Sequence, residues 1–324
     1  MNQRYSRQTI LPEVGTAGQA RLRDARVLVV GAGGLGCAVL QYLGAAGVGR
    51  LVIVDHDRVE ESNLHRQPVY RLSDVGLLKA EAIRAALLES NPEVQIEAVS
   101  ERLTPANAAS LVATADLIVD AADSFAVTYV LSDECHRVTK GLVSASVLGL
   151  TGYVGGFCGG VPSYRAVFPD IPRQAGSCAQ SGVLGTAVGV IGTLQAHMVL
   201  AILLDLQPTV LGQLVTVDFR TLRFGGFSFA AAPEPSGAVI PFISAAQVDR
   251  ADIVIDLRSL IEAPVSPFAA ALRLDVDDLL GAQPRFPREH RIVLCCRTGV
   301  RAWRAARALQ SQGHQNVALV AIGD

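Results

Sequence analysis

The chain has 324 residues, with 28 Lys plus Arg against 30 Asp plus Glu and a formal net charge of -2, a balance that leaves no basic footprint for nucleic acid and no polybasic patch for a membrane surface. Half of the residues are hydrophobic and 18% are charged, which excludes a disordered chain and, at roughly 150 residues per domain, suggests about two domains. Six cysteines, two of them adjacent at Cys295 and Cys296, make no disulfide framework, so reduced thiols and a cytoplasmic setting are expected.

Met1 to Gln8 carry charges with no apolar segment behind them, so no secretory signal is expected. Arg26 to Val30 is a short β-branched run of the kind that forms a buried parallel strand. Gly31-Ala32-Gly33-Gly34-Leu35-Gly36 follows at once, and a helical stretch runs to about Ala46. Leu51 to Asp55 predicts a second strand, and Lys79 to Glu89 a helix that Asn91-Pro92 stops. Gln95 to Val99 reads as a third strand, Thr104-Pro105 as the cap of another helix, and Leu117 to Asp120 as a fourth strand. This alternation predicts an α/β fold with a doubly wound, Rossmann-like sheet, to which the Gly-rich stretch from Leu142 to Phe157 adds antiparallel strands, making it mixed.

From Gln174 to Leu204 there is no charged residue, and Val183 to Leu204 is long enough to span a bilayer. Gln195 and His197 interrupt the run, no Lys or Arg cluster flanks it, and no Trp or Tyr marks its ends. A helix buried in a large core, at a subunit interface, is expected instead. Ala230 to Gly237 lacks hydrophobic periodicity. Residues 230–239 are therefore read as a linker between a first domain, 1–229, and a smaller α/β domain, 240–324. The second has strands at Ile253 to Asp256 and Ile292 to Cys295 and a helix from Val300 to Ser311.

The Gly31, Gly33 and Gly36 turn between strand and helix bares backbone N–H groups at a positive helix end, a receptor for phosphate. Asp55, at the end of the second strand, is placed to accept from ribose hydroxyls. A nicotinamide-dependent oxidoreductase shares these features. The polar segment from Asp55 to Gln67 and the donors Asn63, Arg66 and Lys79 suit a triphosphate better. Asp123, just past the fourth strand, is a carboxylate suited to magnesium. Singly, Asp57 also suits a turn cap, Arg66 a surface ion pair and Lys79 a solvated helix; their spacing as a set points to the nucleotide.

Arg4-Tyr5-Ser6-Arg7-Gln8, the glycine turn including Gly34, Asp55-x-Asp57, Ser62-Asn63-Leu64-x-Arg66-Gln67, Gly76-x-x-Lys79 and Asp120-x-x-Asp123 resemble the ThiF/MoeB adenylyltransferases, relatives of ubiquitin-activating enzymes. The resemblance spans residues 3 to 220. It implies ATP held at the ribose by Asp55 and at the phosphates by Asn63, Arg66 and Lys79, with magnesium on Asp123. It also implies a homodimer in which Arg7 reaches the partner's phosphates. The implied reaction is adenylation of the C-terminal carboxylate of a small ubiquitin-fold sulfur-carrier protein ending in Gly-Gly. Neutralised phosphate oxygens matter more than a base for such an attack, so no His is required.

Cys296-Arg297-Thr298-Gly299-Val300-Arg301 follows a strand and opens a helix, so the Cys296 thiol is expected among backbone N–H groups and near two Arg, as a partial thiolate. Cys295 is expected to point the other way, into the core. This loop, with Val254 to Ser259 and Gly313 to Val317, resembles a rhodanese domain. The resemblance implies a persulfide on Cys296, charged by a donor such as a cysteine desulfurase, that converts the acyl-adenylate to a thiocarboxylate. A rhodanese-like fold that is inert and only docks a partner is the alternative. Cys178 matches a family cysteine that in some members links covalently to the carrier; an inert buried thiol is the alternative there. Many relatives hold zinc with two Cys-x-x-Cys pairs. Here Ser163 and Ala166 stand in the first pair and no Cys lies between Cys178 and Cys295, so no zinc is expected.

Overall fold

A computed structural model describes residues 3–172, 182–281 and 286–323. In chain order the elements are α1 (Ser6–Thr9), α2 (Gly15–Asp24), β1 (Arg26–Val30), α3 (Gly34–Ala46), β2 (Arg50–Val54), α4 (Lys79–Ser90), β3 (Gln95–Val99), α5 (Ala108–Ala113), β4 (Leu117–Asp120), α6 (Phe125–Arg137), β5 (Gly141–Leu148), β6 (Thr151–Cys158), α7 (Tyr164–Val167) and α8 (Gly185–Leu203). The rest are β7 (Gln213–Asp218), β8 (Arg223–Ser228), β9 (Ile253–Asp256), β10 (Leu272–Arg273), α9 (Val276–Gly281), β11 (Ile292–Cys296), α10 (Val300–Ser311) and β12 (Val317–Ala321).

The large sheet has the order β3-β2-β1-β4-β5-β6-β7-β8. It is parallel from β3 to β5 and antiparallel from β5 to β8, the mixed sheet expected from the pattern. Alternation along β1 sets its two faces. Val27 and Val29 join the core under α3 and α8, while Leu28 and Val30 face the core of α5 and α6. That second core runs on into the small parallel sheet, ordered β10-β9-β11-β12, through Ile255, Leu294, Cys296 and Leu319. Arg165 ties the two bodies further: it pairs with Asp133 and lies over the rings of Tyr129 and Trp303.

The uncharged segment forms α8, the one helix among the described residues long and apolar enough to cross a membrane by length and composition. Half of its apolar window is buried against α3 and the sheet. Gln195 explains why a polar residue interrupts it: its amide donates to the carbonyls of Asp120 at 2.7 Å and Val143 at 3.1 Å, pinning the helix across β4 and β5. One expectation is corrected at Thr104-Pro105. The Thr104 N–H is taken by Asn107 Oδ1, so a turn forms first and α5 begins only at Ala108.

Candidate functional site

The strand order reverses between β1 and β4, so a crevice opens at their carboxyl ends. The glycine turn fills the floor of that crevice. Gly31 has φ +100°, and a Cβ there would fall 2.6 Å from the Ala121 carbonyl oxygen of the neighbouring strand end. Gly36 packs its α-carbon on the Gly31 carbonyl, leaving no room for a side chain, and a Cβ on Gly34 would meet Val188 at 2.5 Å. Gly33 differs: a Cβ there would meet only Gln67 Nε2, at 3.8 Å. Three glycines are thus required by the protein's own packing, while Gly33 leaves open space on the crevice side.

Asp55 stands just past β2, 8% exposed, and accepts from the Ala32 N–H at 2.6 Å and the Asp57 N–H at 2.8 Å. Burial pushes its carboxyl above the ordinary value, against the pull of the Ala32 N–H and Lys79. Asp57 accepts from Lys79 Nζ at 2.9 Å. Burial raises the Asp57 carboxyl, but the Lys79 hydrogen bond and charge outweigh it, with His56 and Arg102 adding, and the group sits below the usual carboxylate range. The ammonium is therefore held at the start of α4 by a carboxylate that can share it with an incoming anion. Arg66, half-buried at the rim, donates to the Ser62 carbonyl at 3.0 Å. Asn63 and Gln67 are buried, and Asn63 Oδ1 and Gln67 Oε1 have no protein partner. Such orphaned amides beside a cavity are the mark of groups awaiting a ligand.

These residues line one cavity of about 1160 Å³. Gly31, Gly33, Gly34, Asp55, Asp57, Asn63, Arg66, Lys79 and Asp123 all contribute to its wall. Asp123 is an exposed carboxylate there, a fit for magnesium, which is commonly held by one or two carboxylates together with phosphates and water. Beneath it Asp120 is wholly buried; burial pushes its carboxyl up to about 6, although Thr128 and Ser144 donate to it at 2.7 and 2.8 Å. The cavity continues across the sheet past Ser146, Gly152 and Tyr153 to Asp218, Arg223 and Phe224 on the last two strands. At about 4.8 Å per strand, the path from β4 to β8 is roughly 19 Å, the length of about five or six extended residues.

The second sequence-predicted site lies at the carboxyl end of β11. Cys296 Sγ accepts from the N–H groups of Gly299 at 3.2 Å and Ala302 at 3.4 Å, so the loop cradles sulfur as expected. Cys296 is completely buried, which the sequence did not indicate. Gly299, with φ +85°, packs on the Phe242 ring, and Arg301 is paired with Glu262. Cys295 lies in a separate core with Val254 and Val320, and burial pushes its thiol up to about 12. The adjacent thiols therefore serve opposite faces of the small sheet.

Arg7 is exposed on α1 and does not line the cavity of its own chain. Cys178 lies outside the described residues. Ser163, where many relatives have a zinc-binding Cys, donates to Glu234 from both its N–H and its Oγ at 2.6 Å, fastening the 230–237 segment by hydrogen bonds. Several cavity residues escaped the motifs, Tyr153 and Arg102 among them. Tyr153 belongs to an antiparallel strand, and Arg102 follows β3, where the rule that ligands gather at the carboxyl ends of strands would have found it.

Residues 5–237 match the model of the ThiF family. The chain is 43% identical over 229 residues to the adenylyltransferase and sulfurtransferase MOCS3 of Anopheles gambiae, covering 68% of this chain and 52% of that protein. It is 41% identical over 228 residues to the protein of the same name from Drosophila ananassae, covering 68% and 51%. The chain thus spans about half the length of the curated relatives it matches. Among solved structures, E. coli MccB with ATP superposes with a TM-score of 0.61 at 22% identity, covering 73% of this chain and 74% of that one, a likeness of fold. By the family match over most of its length, and by relatives above 40% identity, this chain belongs to the ThiF family.

Proposed function

We propose that the chain adenylates the C-terminal carboxylate of a small ubiquitin-fold sulfur-carrier protein ending in Gly-Gly, and then replaces the activated oxygen with sulfur from a persulfide on Cys296. The observation that carries this reading is the single cavity joining the glycine turn and Lys79 to a groove of five or six extended residues. A nucleotide fits the first half and a narrow peptide tail the second. Asp55 would hold the ribose, and Asn63, Arg66 and Lys79 the phosphates. Magnesium on Asp123 would add charge neutralisation. The carboxylate oxygen attacks the α-phosphorus, pyrophosphate leaves, and the acyl-adenylate remains. The terminal sulfur of the persulfide attacks the acyl carbon and expels AMP. A second thiol then attacks Cys296 Sγ, releasing the thiocarboxylate and leaving a disulfide for a thiol reductant to clear. A cysteine desulfurase is the class of donor that recharges Cys296.

The reading includes a cytoplasmic homodimer acting without membrane or nucleic acid, in which Arg7 serves the partner's cavity. Activity restored by mixing Arg7→Ala with Lys79→Ala subunits would support that placement, and no restoration would oppose it. It also includes the absence of structural zinc, which the bonding of Ser163 to Glu234 favours and elemental analysis checks. The test of the main claim is ATP–pyrophosphate exchange with magnesium against Gly-Gly-ending carriers. Exchange dependent on one carrier is expected; silence with every carrier, in folded protein that binds ATP, contradicts the adenylation step.

A further inference from the structure

The carboxyl ends of the two parallel sheets meet at one side chain. Arg102 lines the cavity, and its guanidinium donates to His56 Nε2 at 2.9 Å. That nitrogen lies 3.5 Å from Asp57, the partner of Lys79. On its other side the guanidinium packs directly on the α-carbon of Gly323, where a side chain would have to push it aside. Gly323 in turn donates its N–H to the Arg297 carbonyl at 2.9 Å, and Ile322 donates to the Cys296 carbonyl at 3.0 Å. Residues 322 and 323 thus clamp the first two carbonyls of the loop that encloses the Cys296 sulfur, and Arg102 seals the clamp from the cavity side.

We propose that Arg102 is a positioning residue that couples nucleotide occupancy to access to Cys296 in the same chain. The proposal rests on the reading of the cavity as the nucleotide site. In the arrangement described, the Arg102 guanidinium is bonded to a ring nitrogen of His56. A polyphosphate entering beside Lys79 offers a charge-assisted, bidentate partner, which binds a guanidinium far more strongly than an imidazole nitrogen does. Drawing Arg102 toward the phosphates uncovers Gly323, removes the packing that holds its N–H against the Arg297 carbonyl, and lets the loop open. Sulfur is thereby exposed only when the cavity has been loaded, which protects a persulfide from wasteful reduction. A ligand shifts such an equilibrium only through a contact made in one state and not the other, and Arg102 to phosphate is that contact.

The test is the rate of iodoacetamide alkylation at Cys296 in the full chain, separated from Cys295 by fragment-ion mass spectrometry, with ATP binding measured independently by calorimetry. MgATP should raise the Cys296 rate about five-fold or more, the lower range of ordinary coupling between sites, and leave it unchanged in Arg102→Ala. Absence of ATP binding to the wild-type chain would bring down the nucleotide reading and this inference together. Binding with no change at Cys296, or an equal acceleration in Arg102→Ala, would overturn the coupling alone. Should Arg102→Ala bind no ATP, Gly323→Asn decides. Asn tolerates the φ of +77° at this position and displaces Arg102 permanently. It should give the fast rate without nucleotide, and a wild-type rate would refute the clamp.

Discussion

The loops after β1 and after β11 follow one plan, a parallel strand running into N–H groups at the start of a helix, yet they use those groups differently. The first turn presses its glycines against its own backbone and Val188, and leaves Gly33 facing a large cavity with Lys79, Arg66 and two orphaned amides around it. The second turns the N–H groups of Gly299 and Ala302 onto a sulfur that is already part of the chain, and closes over it. A receptor for a visiting group needs space and surplus donors. A cradle for a resident one needs enclosure, and a device to open it.

The sharpest way to break this comparison is Lys79→Ala. Removing the buried ammonium should lower pyrophosphate exchange by at least about 10²-fold, and near-wild-type exchange would show that the charge is not used. Cys296→Ala should leave exchange intact and abolish thiocarboxylate, whereas Cys295→Ala, on the opposite face, should retain both; intact-mass analysis of the carrier reads the difference. The glycines then divide. Gly36→Ala forces the turn apart and should cost about 1–3 kcal/mol in a urea titration. Gly33→Ala should leave stability within about 0.5 kcal/mol and instead weaken ATP binding, measured by calorimetry. Equal destabilisation by the two would erase the distinction between packing glycines and the cavity glycine.

The smallest effect concerns pH. Asp120 has a folded value raised to about 6, so the folded chain binds the proton more tightly than the unfolded one. Its contribution to stability is present below about pH 4 and is lost as pH rises through 6. Asp120→Asn should therefore flatten the fall in unfolding free energy between those values. An unchanged slope would mean that Asp120 titrates normally.

The bounds of β1 and β4 were legible because buried parallel strands are written as short β-branched runs between turn signals, and those of the edge strand β3 from its alternation of polar and apolar residues. The cavity wall was legible for a similar reason, since Gly31 to Gly36, Asp55 and Lys79 lie at fixed spacings near strand ends. What stayed hidden depends on distant parts of the chain. Arg102 carries no motif, and its importance arises from His56 and Gly323, 221 positions further on (323 minus 102). The enclosure of Cys296 comes from Phe242, Ile322 and Gly323 folding over a loop that, read locally, looks open. The start of α5 was misplaced because Asn107 competes for the Thr104 N–H, a choice between two local bonds that propensity does not decide.

The central claim is that two chemistries, activation and sulfur transfer, are divided between the two loops. Its most direct test is the intact mass of a Gly-Gly-ending carrier after incubation with MgATP, a persulfide donor, a thiol reductant and either wild-type, Lys79→Ala or Cys296→Ala protein, with pyrophosphate exchange followed in parallel. The account predicts oxygen replaced by sulfur with the wild type alone, and exchange retained in Cys296→Ala and lost in Lys79→Ala. Full thiocarboxylate from Cys296→Ala, or from Lys79→Ala, would contradict it.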